Sequence, residues 1–398
     1  MSFTFSKDDR GISGFTFPII RKLIIPTTRY LFSPVVTNPH NVPVHGPCFI
    51  FGNHANYFDP FLINLDMTDE PTAGVMTRDQ FHKTLPRIFM DSIGIVPTSK
   101  YVPEPGIVRS VMKMIDKRRM IVIFPEGGRR WAGKPKPLIE TTLKLFWKMN
   151  IPVHPVQIHG SYLSWPRWAD KPRKSTVEVR WLDPLHASDF SDYQTFADSC
   201  TDLIGFDEYS PPDTAKIHSC SKPAKGIERF LYRCPDTGET GAVFSPDGLH
   251  VYSRSSDLSY KMNLRSRLID AHGEPHSIVD MFEAINMMPM EMDRDSVLLT
   301  NPGCKLNEIN DKHELMQKGP GYAELTRDTL LLSLGSSKTR LSIDEILYMS
   351  VEQNHKITMT TKSGIHQLVL KNASALQWKN YIQRLQDCEQ PVRVRSLA

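Results

Sequence analysis

From residue 48 to about 184, short apolar runs alternate with stretches of helical periodicity. CFIFGN (48–53), GVMTR (74–78), IVP (95–97), VHPVQIHG (153–160) and STVEVRWLDPL (175–185) read as strands, and MIVIFPEG (120–127) as a strand running into a loop. Between them, FLINLDM (61–67) opens a helix. FHKTLPRIFMDSIG (81–94), IVRSVMKMIDKRR (107–119) and PLIETTLKLFWKMN (137–150) place apolar residues three and four apart, as amphipathic helices do. Strands alternating with helices predict an α/β domain with a mixed, mostly parallel sheet. Runs such as MIVIF show no alternation, which is expected of strands covered on both faces.

The pattern changes at both ends. Residues 14–36, GFTFPIIRKLIIPTTRYLFSPVV, are apolar but interrupted by Pro18, Arg21, Lys22 and Pro26. They read either as an interfacial membrane anchor or as a helix packed on the protein's own core. Residues 208–225 are rich in Pro, Ser and Lys without periodicity, which marks a boundary. Beyond it, β-runs in 230–254 are separated by the turn signals PDTG and SPDG. SIVDMFEAINMMPMEM (277–292) reads as a Met-rich core helix. From 321 the runs YAELTR, TLLLSLG, TRLSI, ILYMSVEQ, KITMTTK and HQLVLK predict a meander, followed by an amphipathic helix over 373–386 with Asn372 placed to cap it. The expected organisation is an N-terminal membrane-associating segment (1–40), an α/β domain (41–210), a linker (211–225), a β-rich and helical region of unknown role (226–320) and a β domain with a C-terminal helix (321–388).

Charge adds a functional constraint. Residues 1–180 hold 25 Lys and Arg against 14 Asp and Glu, and the rest holds 23 against 30. A basic first part suits an anionic partner such as a phosphate group or an anionic membrane face. The basic residues cluster on no single helix or strand, which argues against nucleic acid. The six cysteines form no CxxC pair, so neither a zinc site nor a disulfide framework is expected. The N-terminus lacks the apolar core of a secretory signal, and no uninterrupted apolar run reaches the ~20 residues of a spanning helix.

Two stretches carry candidate chemistry. In NHANYFD (53–59) followed by Pro60, a helix would hold His54 and Asp59 on different faces. Asp59-Pro60 is itself a helix start, with Asp at the N-cap, so a loop after strand 48–53 can turn the imidazole against the carboxylate. A carboxylate on one ring nitrogen leaves the other to take a proton. In FPEGGRR (124–130), Gly127 and Gly128 allow backbone amides to approach a ligand, and Arg129 and Arg130 are donors suited to phosphate. Glu126 could accept from a ligand hydroxyl or orient an arginine. Each stretch alone also fits a structural histidine or a solvated turn.

The order of the blocks NHANYFD (53–59), GIVPTSK (94–100), FPEGGRR (124–130) and IPVHPVQI (151–158) resembles the glycerophospholipid acyltransferases, over roughly residues 30–210. The resemblance implies that His54 is the general base of an HX4D motif and Asp59 its partner. It also implies that Lys100, Glu126, Gly127, Gly128, Arg129 and Arg130 bind the acceptor, and that Pro155 sits in a block lining the donor site. Lys100 stands where the family has a phosphate-binding arginine, and Gly128 where it has threonine, so the head group can differ from simple lysophosphatidate. The implied activity is transfer of a fatty acyl chain from acyl-CoA or acyl-carrier protein to the hydroxyl of a lysophospholipid, most simply 1-acyl-glycerol-3-phosphate. No metal or other cofactor is expected, and the site is expected peripherally on the cytoplasmic face of a membrane. Residues 321–388 resemble a pleckstrin-homology-like or GRAM-like module. The rival readings are a catalytically degenerate membrane-binding adaptor and a hydrolase using the His–Asp pair with water.

Overall fold

The computed structural model describes residues 6–65, 67, 70–77, 84–98, 105–290, 296–310, 315–352 and 354–389. The chain forms two compact units. One comprises the residues up to Arg167 together with Lys171–Cys220, and the other comprises Trp168–Asp170 with the chain from Ser221.

The first unit begins with helix α1 (Thr16–Phe32) and strand β1 (Val35–Thr37). There follow β2 (Cys48–Gly52), α2 (Asp59–Ile63), β3 (Ala73–Thr77), α3 (Thr84–Ile93), β4 (Ile95–Thr98), α4 (Pro105–Asp116) and β5 (Met120–Ile123). Then come α5 (Glu140–Met149), β6 (Val153–His159), α6 (Ser161–Ser164), β7 (Lys174–Thr176), β8 (Glu178–Trp181), α7 (Tyr193–Ile204) and β9 (Lys216–Ser219). Seven strands form one sheet in the order β1-β8-β6-β2-β5-β3-β4, and every neighbouring pair is parallel except β6 with β8. This is the mixed, mostly parallel α/β sheet expected.

The strands have no polar alternation because both faces are covered. Cys48 and Ile50 of β2 join Met120, Val122, Val156 and Ile158 in one core, under Phe32 of α1 and Leu62 and Ile63 of α2. Phe49 and Phe51 join Ile121 and Ile123 in the other, under Val111 of α4, Phe146 of α5 and Phe196 of α7. Alternate side chains of one strand thus supply two cores.

Several boundaries differ from expectation. β1 is an edge strand of the sheet, so the α/β domain begins before residue 41. The single strand expected over 175–185 is two, β7 and β8, which pair with different partners. β9 lies within the expected linker and pairs antiparallel with β7. The 14–36 segment packs part of its surface on the protein's own core and leaves an apolar part exposed. Phe32 and Thr28 of α1 are buried, while Phe15 just before it and Ile19, Leu23 and Tyr30 within it are exposed. No helix among the described residues is long and apolar enough to cross a membrane.

The second unit is β-rich and ends in a helix. Strands β10 (Val243–Phe244), β11 (His250–Ser253), β12 (Ser259–Met262), β13 (Arg267–Ile269) and β14 (Pro275–Ser277) form an antiparallel sheet in sequence order. After α8 (Ile278–Met287), a second antiparallel sheet contains β15 (Leu299–Ile309), β16 (Leu315–Leu325), β17 (Thr329–Leu334), β18 (Ser337–Ser342), β19 (Ile346–Glu352), β20 (Lys356–Thr361) and β21 (Gly364–Val369). Its helix α9 (Ala375–Glu389) buries Trp378, Ile382 and Leu385.

Here the expectations need correction on three points. β15 pairs with both β16 and β21, and β16 crosses the expected boundary at 321, so this sheet starts about twenty residues earlier than the meander was placed. The cap of α9 is Ser374, whose Oγ accepts from the Gln377 amide at 3.1 Å, rather than Asn372. The core face of α8 is Ile278, Val279 and Ile285, whereas Met287 is exposed, so the methionines are not its buried stripe.

Candidate active site

Because β2 is parallel to both β5 and β6, the loops leaving these three strands emerge at one edge of the sheet. Carboxyl edges of such sheets are where open α/β folds place their ligands. NHANYFD leaves β2, FPEGGRR leaves β5, and Gly160-Ser161 leaves β6.

The first loop is wound around one carboxylate. Asp59 is the first residue of α2 with Pro60 after it, and Phe58 occupies the N-cap position without a side-chain cap. The expected N-cap role of Asp59 is therefore displaced by one residue, because its carboxylate faces back into the loop. Asp59 Oδ2 accepts from the amides of Ala55 (2.6 Å) and Asn56 (2.9 Å). The same oxygen lies 2.8 Å from His54 Nδ1. Asp59 Oδ1 accepts from the Ser161 hydroxyl, which in turn accepts from Asn56 Nδ2 at 2.7 Å. An ionised carboxylate on Nδ1 selects the tautomer with its proton there and leaves Nε2 as the basic nitrogen. The imidazole stacks on Phe124, centroids 4.3 Å apart and 18° between planes, and is 19% exposed, against 0% for Asp59. Asn53 fixes the root of the loop, since its side chain exchanges hydrogen bonds with the backbone of Ile158 at 2.8 and 3.0 Å.

The second loop corrects two expectations. Glu126 and Arg130, expected on the substrate, are buried and hold each other. Arg130 Nε donates to both Glu126 oxygens at 3.0 and 3.1 Å. Its remaining nitrogens reach the carbonyls of Ile204 (2.6 Å) and Phe206 (3.0 Å) and the Glu208 carboxylate (3.3 Å). Its backbone amide donates to the His54 carbonyl at 2.8 Å, which ties this cluster to the first loop. Glu126 thus orients an arginine, one of its two readings, and that arginine clamps the loops together. Burial pushes Glu126 upward against the pull of Arg130. Burial also pushes Glu208 up to about 8, opposed by Arg130 and the Asn53 amide. One guanidinium is shared by two buried carboxylates, so full ionisation of both is costly.

The outer part of the loop carries the other cations. Gly127 has φ +65°, a conformation that favours glycine. Lys136 Nζ donates to the carbonyls of Glu126 (2.9 Å) and Gly128 (3.3 Å), and burial lowers it to about 8. The Arg129 guanidinium lies 3.5 Å over the Tyr57 ring, and Arg167 lies 4.2 Å over Trp131 while donating to the Arg129 carbonyl at 2.9 Å. Arg129, Lys136 and Arg167 thus converge on the glycine turn. Lys100 lies outside the described residues. Pro155 is buried mid-strand in β6, in register with Phe51.

Sequence reasoning did not single out Ser161, Asn53, Arg167 or Glu208, and it read Lys136 only as extending the basic loop. Ser161 had one signal, a Gly-Ser step at the carboxyl end of a predicted strand. Glu208 had none, because it lay inside the expected boundary region and reaches the site across more than 70 residues of chain.

Residues 33–159 match the family model described as Acyltransferase. A 1-acyl-sn-glycerol-3-phosphate acyltransferase of Limnanthes alba is 22% identical over 142 residues, 35% of this chain and 50% of the relative. The chain thus spans about half the length of that curated relative. Among solved structures, the 1-acyl-sn-glycerophosphate acyltransferase PlsC of Thermotoga maritima aligns with a TM-score of 0.40 at 18% identity, covering 48% of this chain and 80% of that one. The N-terminal PH domain of human ARAP2 aligns with a TM-score of 0.19 at 12% identity, covering 25% of this chain and 87% of that one. Over residues 33–159, which hold the four ordered motif blocks, the chain is thus similar to the acyltransferase family.

Proposed function

We propose that the protein transfers a fatty acyl chain from a thioester donor, acyl-CoA or acyl-carrier protein, to the free hydroxyl of a lysophospholipid, with 1-acyl-glycerol-3-phosphate as the simplest acceptor. The observation that carries this reading is the His54–Asp59 pair on the carboxyl edge of the sheet, with Arg129 over Tyr57 of the same loop and Arg167 and Lys136 on the carbonyls of the FPEGGRR loop.

His54 Nε2 takes the proton of the acceptor hydroxyl as its oxygen attacks the thioester carbonyl. Asp59 stabilises the imidazolium. The tetrahedral intermediate collapses with cleavage of the C–S bond, and the thiolate leaves with the proton held by His54. The products are a diacyl phospholipid and a free thiol. The cation group gives the acceptor phosphate a charged seat. The exposed apolar residues Phe15, Ile19, Leu23 and Tyr30 seat the unit peripherally on the cytoplasmic face of a membrane, where the acceptor resides.

The test is transfer of labelled acyl chains from acyl-CoA to a panel of lysophospholipids by the full chain, with His54→Ala as control. Transfer by the wild type and its loss in the variant support the reading. Absence of transfer to every acceptor, or full activity in the variant, sinks it.

A further inference from the structure

We propose that Ser161 is a positioning residue that sets how readily the His54–Asp59 pair gives up its proton; the inference rests on the reading of His54 as base. Ser161 is wholly buried and comes from a third strand end, at the start of α6. Its hydroxyl donates to Asp59 Oδ1, the oxygen that does not face the imidazole. Its own lone pair accepts from Asn56 Nδ2 at 2.7 Å, and Asn56 Nδ2 also reaches the Ser161 carbonyl at 2.9 Å. This arrangement directs the hydroxyl proton at Asp59. Asn56 Oδ1 is itself held by the Phe58 amide at 2.6 Å, so the amide orientation is fixed.

The physical consequence follows from the two oxygens of one carboxylate. Oδ2 already carries the Ala55 and Asn56 amides and His54 Nδ1. A donor on Oδ1 withdraws charge from the whole group, so Asp59 attracts the imidazolium proton less strongly. Without that donor, Oδ1 is a buried carboxylate oxygen that has lost its hydroxyl partner, and the pair binds a proton more tightly as a unit. Ser161 thus favours the neutral imidazole, the state in which it can act as a base. The other charges on the elements around the pair are Glu126 and Arg130 on the β5 loop, Glu208 on Arg130, Arg129 over Tyr57, and Lys136 and Arg167 on the carbonyls of the same β5 loop. Glu126 and Glu208 are both held by Arg130, which Ser161 does not contact in any of these bonds.

The experiment measures two quantities on the full chain for the wild type, Ser161→Ala, Ser161→Thr and Ser161→Cys. One is the pH profile of kcat/KM for acyl transfer. The other is the His54 titration by NMR, assigned with His54→Ala, which needs no turnover. A hydrogen bond to a charged group is worth enough to move the titration by about one pH unit. Ser161→Ala is expected to raise both the His54 titration and the acidic limb of the profile by about that amount. Its loss of activity at neutral pH should then shrink in alkaline solution. Ser161→Thr keeps the hydroxyl and is expected to match the wild type. Ser161→Cys keeps nearly the volume with a weaker donor and falls between, and it serves if the alanine variant does not fold. An unshifted or lowered titration, or a loss of activity independent of pH, overturns the role of Ser161. If the wild type transfers no acyl chain, the functional reading fails, while the titration still decides what Ser161 does to the pair.

Discussion

His54–Asp59 can be set beside two other histidine–aspartate contacts, His250–Asp247 and His276–Asp270. Their nitrogen–oxygen distances are 2.8, 2.6 and 3.0 Å, so distance does not distinguish them. Their surroundings do. Asp59 is 0% exposed, whereas Asp247 and Asp270 are 49% and 23% exposed and sit in turns of the five-stranded sheet. Hydrogen bonds from His250 and His276 depress those two carboxylates, as expected of surface pairs that simply satisfy each other. Asp59 instead spends its oxygens on two backbone amides and a buried serine, and presents its histidine beside a turn of glycine and cations. A contact becomes a site through what fixes it and what it faces.

Mutations test that contrast. The largest effect is expected for His54→Ala, which should lower kcat for acyl transfer by about 10²–10⁴-fold. His250→Ala and His276→Ala should change it by less than about twofold. Steady-state assays on the three purified variants decide it, and a comparable loss in all three removes the distinction. Asp59→Asn keeps the shape but loses the charge opposite Nδ1, and kcat should fall by about 10²-fold or more, whereas Asp247→Asn should be silent. Rates measured at saturating substrate separate this from a binding defect.

The same contrast extends to stability. Arg130→Leu leaves Glu126 and Glu208 buried without their cation, and urea unfolding should show a loss of about 3–5 kcal/mol. Lys144→Ala breaks the exposed pair with Glu140 on α5 and should leave the unfolding midpoint nearly unchanged. A smaller effect concerns pH. Glu208 sits at about 8 in the folded protein against an ordinary 4.5, so the folded state holds a proton that the unfolded state has released. Its contribution is therefore present below about 4.5 and is lost as pH rises through about 8. Glu208→Gln should flatten that decline, as read from denaturation at pH 5 and pH 8.5. An unchanged slope would place the proton elsewhere.

Much of the first unit was legible because its signals are local. Apolar runs without alternation marked β2 and β5, and helical spacing marked α4 and α5. Turn signals and motif order brought the loops after β2 and β5 into one site. What was not legible depends on distance along the chain. Whether Arg130 faces substrate or core depends on Glu208 and on the Ile204 and Phe206 carbonyls, which no pattern around residue 130 encodes. Ser161 joins the pair only because β6 runs parallel beside β2. In the second unit, β15 escaped notice because Asn301, Pro302, Gly303 and Asn307 disguise it as a loop. Its pairing jumps register between Pro302 and Cys304 and again between Leu306 and Asn307, which accommodates residues a regular strand disfavours.

The most direct test of acyl transfer is the fate of the acyl group itself. The purified chain, mixed with radiolabelled acyl-CoA and 1-acyl-glycerol-3-phosphate, should release free CoA and labelled diacyl lipid in equal amounts, with negligible labelled fatty acid. Release of CoA matched by free fatty acid would make the His54–Asp59 site a hydrolase, and no CoA release with any lysophospholipid would contradict catalysis altogether.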